Sequence, residues 1–360
     1  MSAVEALMQR LPDAQSAALI TTPHNRRYLT GFPSSAGCVL VTAEEAYFLT
    51  DFRYIEAAKS RIRHMECICY TDMAQELQVR LAARGVQRVF VEADGMTLAE
   101  CTRYRQRIPD VEWVESAADD ESLDGWMTAL RMCKTPEQLA CIRQAQRLTE
   151  AGFDHILSFI RAGRTEREIA LELEFFIRRQ GAEGAAFDFI VVSGANGALP
   201  HGVPGDKPVE AGDFVTMDFG AVVDGWHSDM TRTVAVGSVS EEQRQVYDTV
   251  LHAQLAALET LHAGASCVAC DAAARNVISQ AGYGDCFGHG TGHGVGIEIH
   301  EQPRLSPGAG QAMLAPGSVV TVEPGIYLPG KFGVRIEDMA VITENGYENL
   351  TKSPKQLLIL

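Results

Sequence analysis

The chain has 360 residues, 46% hydrophobic and 22% charged, with 31 Lys and Arg against 47 Asp and Glu, a formal net charge of −16. This excludes a wholly disordered, collagenous or coiled-coil chain, and the length suits two domains with sizeable cores. The acidic balance argues against nucleic acid or an anionic membrane surface as a partner, since Lys and Arg supply that affinity.

Residues 1 to about 120 alternate short apolar runs with amphipathic stretches. Ala17–Ile20, Cys38–Val41, Ala46–Leu49 and Val89–Val91 read as buried strands, and 51–62 and 73–85 as helices, an α/β pattern with mixed strand pairing. The small, acidic stretch 116–125 reads as a linker, giving an N-terminal domain over 1–122 and a second domain over 123–360. Thr135-Pro136-Glu137 starts a helix expected to reach about Ala162. Thr165 with Glu168 starts another that Gly181 should end. The stretches 187–193 and 213–236 read as antiparallel strands, 240–262 and 265–281 as helices, and 319–327 and 333–342 again as strands. Helices followed by strands thus occur twice, suggesting two related halves in an α+β second domain. The opening residues carry Glu5 and Arg10 and no long apolar run, so neither a secretory leader nor a membrane span is expected. Nine irregularly spaced cysteines fit a reduced, cytoplasmic compartment, and the lone pair Cys267/Cys270 reads as structural.

Three segments carry chemistry. In the first, Asp224-Gly225 signals a two-residue hairpin. That turn pairs Val223 with Trp226 and Asp218 with Thr231, and brings Asp229 onto the face of Asp218, where two carboxylates can bracket metal ions. The alternative is a pair of solvated hairpin carboxylates. In the second, His289, His293 and His300 lie among five glycines, residues that let backbone approach a ligand closely. The string lacks the Lys-Ser/Thr ending of a phosphate loop. In the third, a loop at Pro329-Gly330-Lys331 places Glu323 opposite Glu337, a like-charge pair that needs a cation between its members. A one-residue slip would put the two on opposite faces. Asp218, Asp229, His293, Glu323 and Glu337 form an oxygen-rich set that favours Mn²⁺, Fe²⁺ or Co²⁺ over a thiolate-type zinc site.

These segments together resemble the proline-directed branch of the pita-bread metallopeptidases, the family of aminopeptidase P and prolidase. Pro23–Phe32 and Thr50–Tyr54 resemble its creatinase-type N-terminal domain, and Pro200-His201-Gly202 also matches. The resemblance implies an α/β N-terminal domain followed by a pita-bread catalytic domain. It implies two divalent ions, Mn²⁺ foremost with Co²⁺, Fe²⁺ or Zn²⁺ as alternatives, on Asp218, Asp229, His293, Glu323 and Glu337, with Asp229 and Glu337 bridging. Glu323 is expected to shuttle the proton, and His289 and His300 to orient the scissile peptide and stabilise the oxyanion. His201 is expected to meet substrate from the rim. Arg335 is expected to steady the bridging carboxylates or meet substrate charge, and Tyr327 to be a core residue. The implied activity is an Xaa-Pro aminopeptidase acting on peptides with proline second. The alternatives are an Xaa-Pro dipeptidase and a non-catalytic binding homologue on the same fold. A homodimer in which one subunit's N-domain closes the other's cleft is expected by the same likeness.

Overall fold

The computed structural model describes residues 1–115 and 121–360, which divide into two compact units, Met1–Arg131 and Met132–Leu360. Of the expected linker, residues 116–120 lie outside the described residues. Its last part already begins the helix Leu123–Met132, whose Leu123, Trp126 and Met127 pack into the first unit's core. The first unit therefore extends past the compositional boundary at 122.

The first unit is built on a six-stranded sheet in the order Glu66–Cys69, Ala46–Thr50, Cys38–Thr42, Ser16–Ile20, Arg88–Val91, Glu112–Val114. Ser16–Ile20 runs antiparallel to Cys38–Thr42 and parallel to Arg88–Val91, the mixed pairing that the sequence predicts. Strands without polar alternation must bury both faces. Ala18, Ile20, Val39 and Phe48 pack on one side of the sheet, and Ala17, Leu19, Leu40 and Leu49 on the other. Glu66–Cys69 and Glu112–Val114 are edge strands that bury one central side chain each, so they leave no apolar run for a sequence reading to find. The helix expected over 51–62 covers only Ile55–Arg61. The Asp51 carboxylate accepts from the Arg53 N–H and opens a turn there instead.

The second unit repeats one pattern, a helix pair followed by hairpins. Pro136–Ile156 and Glu166–Arg179 precede the strands Phe214–Phe219 and Met230–Ala235. Glu241–Leu258 and Cys267–Gln280 precede the sheet that contains Val319–Val322 and Asp338–Thr343. Thr135 and Thr165 close capping boxes with Gln138 and Glu168, and Gly181 takes the left-handed conformation (φ +107°) just past its helix. The first of these helices stops at Ile156, six residues short of the expected end, and continues only as turns. Cys267 and Cys270 are buried free thiols in the first turn of their helix, and burial pushes Cys267 up to about 11. Among the described residues no helix is long and apolar enough to cross a membrane.

Both hairpins are pinned by a buried ion pair. The Arg232 guanidinium spends its five N–H donors on the carbonyls of Thr231, Glu337, Ser353 and Pro354 and on Asp338 Oδ1 at 2.8 Å. Asp338 Oδ2 accepts from Asn349 and Lys355. Burial alone would raise Asp338, but Arg232 and Lys355 outweigh it and hold the carboxyl below its ordinary range. Removing one partner of a fully buried pair costs about 3–5 kcal/mol, whereas an exposed pair is worth under about 1 kcal/mol. Asp338→Ala is therefore expected to lose several kcal/mol in denaturant titration, while Lys331→Ala, which breaks the exposed pair with Glu242, barely moves the midpoint.

Candidate metal centre

The first hairpin has the register that its turn demands. Asp224 (φ +49°) and Gly225 (φ +83°) form the two-residue tip, Val223 pairs with Trp226, and Asp218 pairs with Thr231. The ladder lapses between Met230 and His227, and Asp229 sits in that lapse with its N–H turned to the Met339 sulfur at 3.0 Å. The second hairpin does the same. Val322 pairs with Asp338 and Gly325 with Arg335, both in one register, and the ladder is broken between them. Glu323 and Glu337 occupy the break. Their freed N–H groups bond elsewhere, Glu323 to the Thr291 carbonyl (2.7 Å) and Glu337 to the Thr231 carbonyl (3.1 Å). These two bonds draw the strand carrying His293 and the strand carrying Thr231 against the glutamates.

Asp229, His293 and Glu337 offer ligand atoms that all lie within 4.8 Å of one another, and all three residues are buried. Glu323 joins them, with Oε1 3.3 Å from His293 Nε2, and Asp229 Oδ2 lies 3.6 Å from the same nitrogen. Asp218 stands at the edge of the cluster, its Oδ2 accepting from Arg335 Nη2 at 2.6 Å. Four carboxyls in one interior repel, and each change of charge is felt by the rest. Burial first, then Glu337, Asp218 and Glu323, hold Asp229 far above the ordinary carboxylate range. Burial, then Glu323 and Asp218, do the same to Glu337, and burial pushes Glu323 up to about 8. Burial pushes His293 down to about 3, so its imidazole is neutral.

These residues fit divalent cations on two observations. Asp218 Oδ1, Asp229 Oδ1 and Glu337 Oε1 are buried with no hydrogen-bond partner, which is costly for a carboxylate unless a cation meets it. His293 Nδ1 faces the Gly294 carbonyl at 3.0 Å and so carries the proton, which leaves the Nε2 lone pair aimed at two carboxylates.

A second set of side chains holds the cluster in place. Thr231 Oγ1 donates to Glu337 Oε2 at 2.7 Å and accepts from Arg335 Nε at 3.0 Å. Arg335 Nη1 reaches the Tyr327 hydroxyl at 2.8 Å and the Pro200 carbonyl at 3.3 Å. Burial opposes the guanidinium charge, but Tyr327, Asp218 and Glu323 outweigh it. Arg335 thus touches Asp218 and reaches Glu337 only through the Thr231 hydroxyl, so it is in direct contact with neither of the carboxylates expected to bridge. Tyr327 is buried as expected, yet its hydroxyl also lies 2.8 Å from His289 Nε2. His289 Nδ1 faces the Gly290 carbonyl, so both of its ring nitrogens are occupied, and burial pushes its pKa down to about 4. In this fold the His289 ring is held between the Tyr327 hydroxyl and the Gly290 carbonyl. His300 packs its ring edge-on to His293 (4.4 Å), and its outer face, like His201, is exposed. Asp271 and Thr321 are absent from the sequence reading. Asp271 holds the Thr291 N–H and hydroxyl, and Thr321 Oγ1 receives the His293 N–H.

Two carboxylate-rich hairpin breaks facing a histidine strand, in a duplicated helix-and-hairpin unit, define a metallohydrolase of the pita-bread fold. The chain belongs to metallopeptidase family M24: that family profile matches residues 140–344, and the creatinase/prolidase N-terminal domain profile matches residues 3–133. Among solved structures it is similar to an Xaa-Pro dipeptidase from Bacillus anthracis (42% identity, TM-score 0.94, 99% of each chain covered). It is also similar to an X-Pro aminopeptidase from Thermotoga maritima (36%, TM-score 0.89, 96% of this chain and 97% of that one). In sequence it is 36% identical to an Xaa-Pro dipeptidase from Pyrococcus furiosus over 94% of both chains. The chain is accordingly a hydrolase of a family that works with divalent metal ions.

The raised carboxyls fix a pH signature. Glu323 ionises near pH 8 in the folded metal-free chain against an ordinary value of 4.5, so between those values the folded state keeps a proton that the unfolded state has lost. Stability from this group is full below 4.5 and is lost as pH rises to about 8. The buried neutral histidines act oppositely, but only below about pH 6.5. Chelator-stripped protein is therefore expected to melt at a lower temperature at pH 8 than at pH 7, with Glu323→Gln removing part of that slope. Mn²⁺ should raise the melting temperature more at pH 8, where fewer protons compete. A flat apo profile would contradict this picture of the cluster.

Proposed function

We propose that the chain is an Xaa-Pro dipeptidase that cleaves the bond before proline and holds two divalent ions, Mn²⁺ foremost, on Asp218, Asp229, His293, Glu323 and Glu337. The aminopeptidase activity expected from the sequence as the first reading yields to its dipeptidase alternative, which the Bacillus and Pyrococcus relatives support. The observation that carries the choice is Arg304. It pairs with His293 across the ladder, its residue is exposed, and its positive charge acts on His293, His300 and Glu323 together. Among the described residues its guanidinium forms no ion pair. A cation beside the reacting groups suits a substrate whose carboxylate follows the proline directly. The aminopeptidase reading keeps the support of the Thermotoga structure.

When bound, divalent ions would supply Lewis acidity that lowers the pKa of water to about 7 and polarises a carbonyl. The protein's own residues do the rest. In this reading Glu323 takes the proton of the attacking water and passes it to the leaving proline nitrogen, a role that its hydrogen bond from Thr321 Oγ1 (3.3 Å) supports by fixing the carboxyl. His300 and His201, both exposed residues, are the donors that this reading assigns to the developing oxyanion. Tyr327 and Arg335 keep His289, Asp218 and Thr231 in register behind them.

Metal-stripped protein resupplied with Mn²⁺ or Co²⁺ is expected to hydrolyse Ala-Pro and to leave Ala-Pro-Ala nearly untouched. Arg304→Ala should lower kcat/KM for Ala-Pro by about 10- to 100-fold, the loss of one charge-assisted contact, with metal content unchanged. Preferential cleavage of Ala-Pro-Ala would establish the aminopeptidase reading instead. His293→Ala and Glu337→Ala should both lose metal and turnover; a fully active variant would remove that residue from the ligand set.

A further inference from the structure

Glu166 opens the helix Glu166–Arg179 and is 0% exposed, well away from the metal cluster in sequence. Its carboxyl makes five hydrogen bonds. Oε1 accepts from the Ser193 N–H (2.7 Å), the Ser193 hydroxyl (3.0 Å) and Asn196 Nδ2 (3.1 Å). Oε2 accepts from Asn196 Nδ2 (3.2 Å) and the Gly205 N–H (3.1 Å). The backbone adds Glu166 N–H to the Lys207 carbonyl and Arg167 N–H to the Gly205 carbonyl. One buried carboxyl therefore ties together both ends of the segment from Ser193 to Gly205, and that segment carries His201 at its exposed crest.

The middle of the segment is fixed as well. Pro200 gives its carbonyl to Arg335, the same guanidinium that holds Asp218. Gly197 lies backbone to backbone on Gly333 of the second hairpin: a Cβ on Gly197 would sit 3.1 Å from the Gly333 nitrogen, and one on Gly333 would overlap the Gly197 carbonyl. Lys207 Nζ, bonded to Ser193 Oγ (2.9 Å) and Asp213 Oδ2 (2.7 Å), adds a cation beside the buried acid. Buried polar groups this fully satisfied rigidify the segment that they join.

We infer that Glu166 is a positioning residue for the reaction, setting the place of His201 by clamping the two ends of the Ser193–Gly205 segment. This rests on the placement of His201 toward substrate given above. A 1 Å displacement of a substrate-facing group can cost about 100-fold in rate, so a loosened clamp acts on catalysis without touching a ligand.

The test uses the metal-loaded full chain. Glu166→Gln keeps the shape but replaces an acceptor with a donor facing other donors. Hydrogen–deuterium exchange over residues 194–204 is expected to speed up by about tenfold or more. Metal content should be unchanged, and kcat/KM on Ala-Pro should fall by about tenfold. In a His201→Ala background the same substitution should cost under about twofold, because its route to the substrate is already gone. Unchanged exchange, metal loss in step with activity, or a full penalty persisting beside His201→Ala would each overturn the inference. Asn196→Ala, which removes two of the five hydrogen bonds to Glu166 and leaves the carboxyl in place, carries the same readouts at smaller size if Glu166→Gln fails to fold. The exchange measurement needs no substrate, so it tests the clamp even where a wild-type chain inactive on Ala-Pro defeats the dipeptidase reading; the kinetic arms are then read on Ala-Pro-Ala.

Discussion

Four carboxyl groups must share one nearly dry interior, and most of the second unit is arranged around their repulsion. Three of their oxygens have no protein partner, and two of the groups, Asp229 and Glu337, are pushed far above the ordinary carboxylate range. No apolar packing relieves such a cluster; only cations or protons do. The chain supplies a scaffold that tolerates either. Arg335 meets the edge of the cluster through Asp218 and reaches Glu337 only through the Thr231 hydroxyl. Arg232 meets none of the site carboxylates and is spent on backbone carbonyls and Asp338. A guanidinium placed directly on Asp229 or Glu337 would neutralise the charge that a metal needs. The arginines therefore stiffen the walls of the site and leave its interior carboxyls to cations or protons.

The carboxylates converge because two hairpins fail in the same way. Each keeps one register along its length yet stops pairing where the site residues fall, at Asp229 in the first and at Glu323 and Glu337 in the second. A continuous ladder would spend the backbone of those residues on the hairpin itself. The break frees the N–H groups of Glu323 and Glu337: the first bonds to Thr291 beside the histidine strand, and the second bonds to Thr231 and so joins the two halves of the unit at the site. Secondary structure and site geometry are thus one arrangement.

Much of this was legible in the sequence, for identifiable reasons. The Asp224-Gly225 turn and the Pro329–Lys331 loop fix the pairings of Asp218 with Thr231 and of Leu328 with Phe332, and period-two geometry then assigns faces. The caps at Thr135 and Thr165 stand where local chemistry puts them. What escaped was long-range or mediated by neutral groups. Thr231, Thr321 and Tyr327 act through single hydroxyls, and a threonine in a strand or a tyrosine in an apolar run carries no mark of such a role. Glu166 carries no signal in the sequence, since its partners lie 27 to 39 residues away. The task expected of His289 comes from the family resemblance, and the contacts of its two nitrogens with Tyr327 and Gly290 show only in the folded chain.

The exposed tip of the second hairpin, Pro329 to Lys331, sets the pairing of Leu328 with Phe332, and the ladder of Val319–Val322 with Asp338–Val341 sets the same register from the far side of the break. A change of length at the tip leaves that second ladder to hold Glu323 opposite Glu337. One residue inserted between Val322 and Gly325 would turn Glu323 to the opposite face of its strand. Length variation in descendants of this chain, and any reporter peptide grafted into the hairpin, can therefore enter at the tip and is barred from the four residues that join its two ladders.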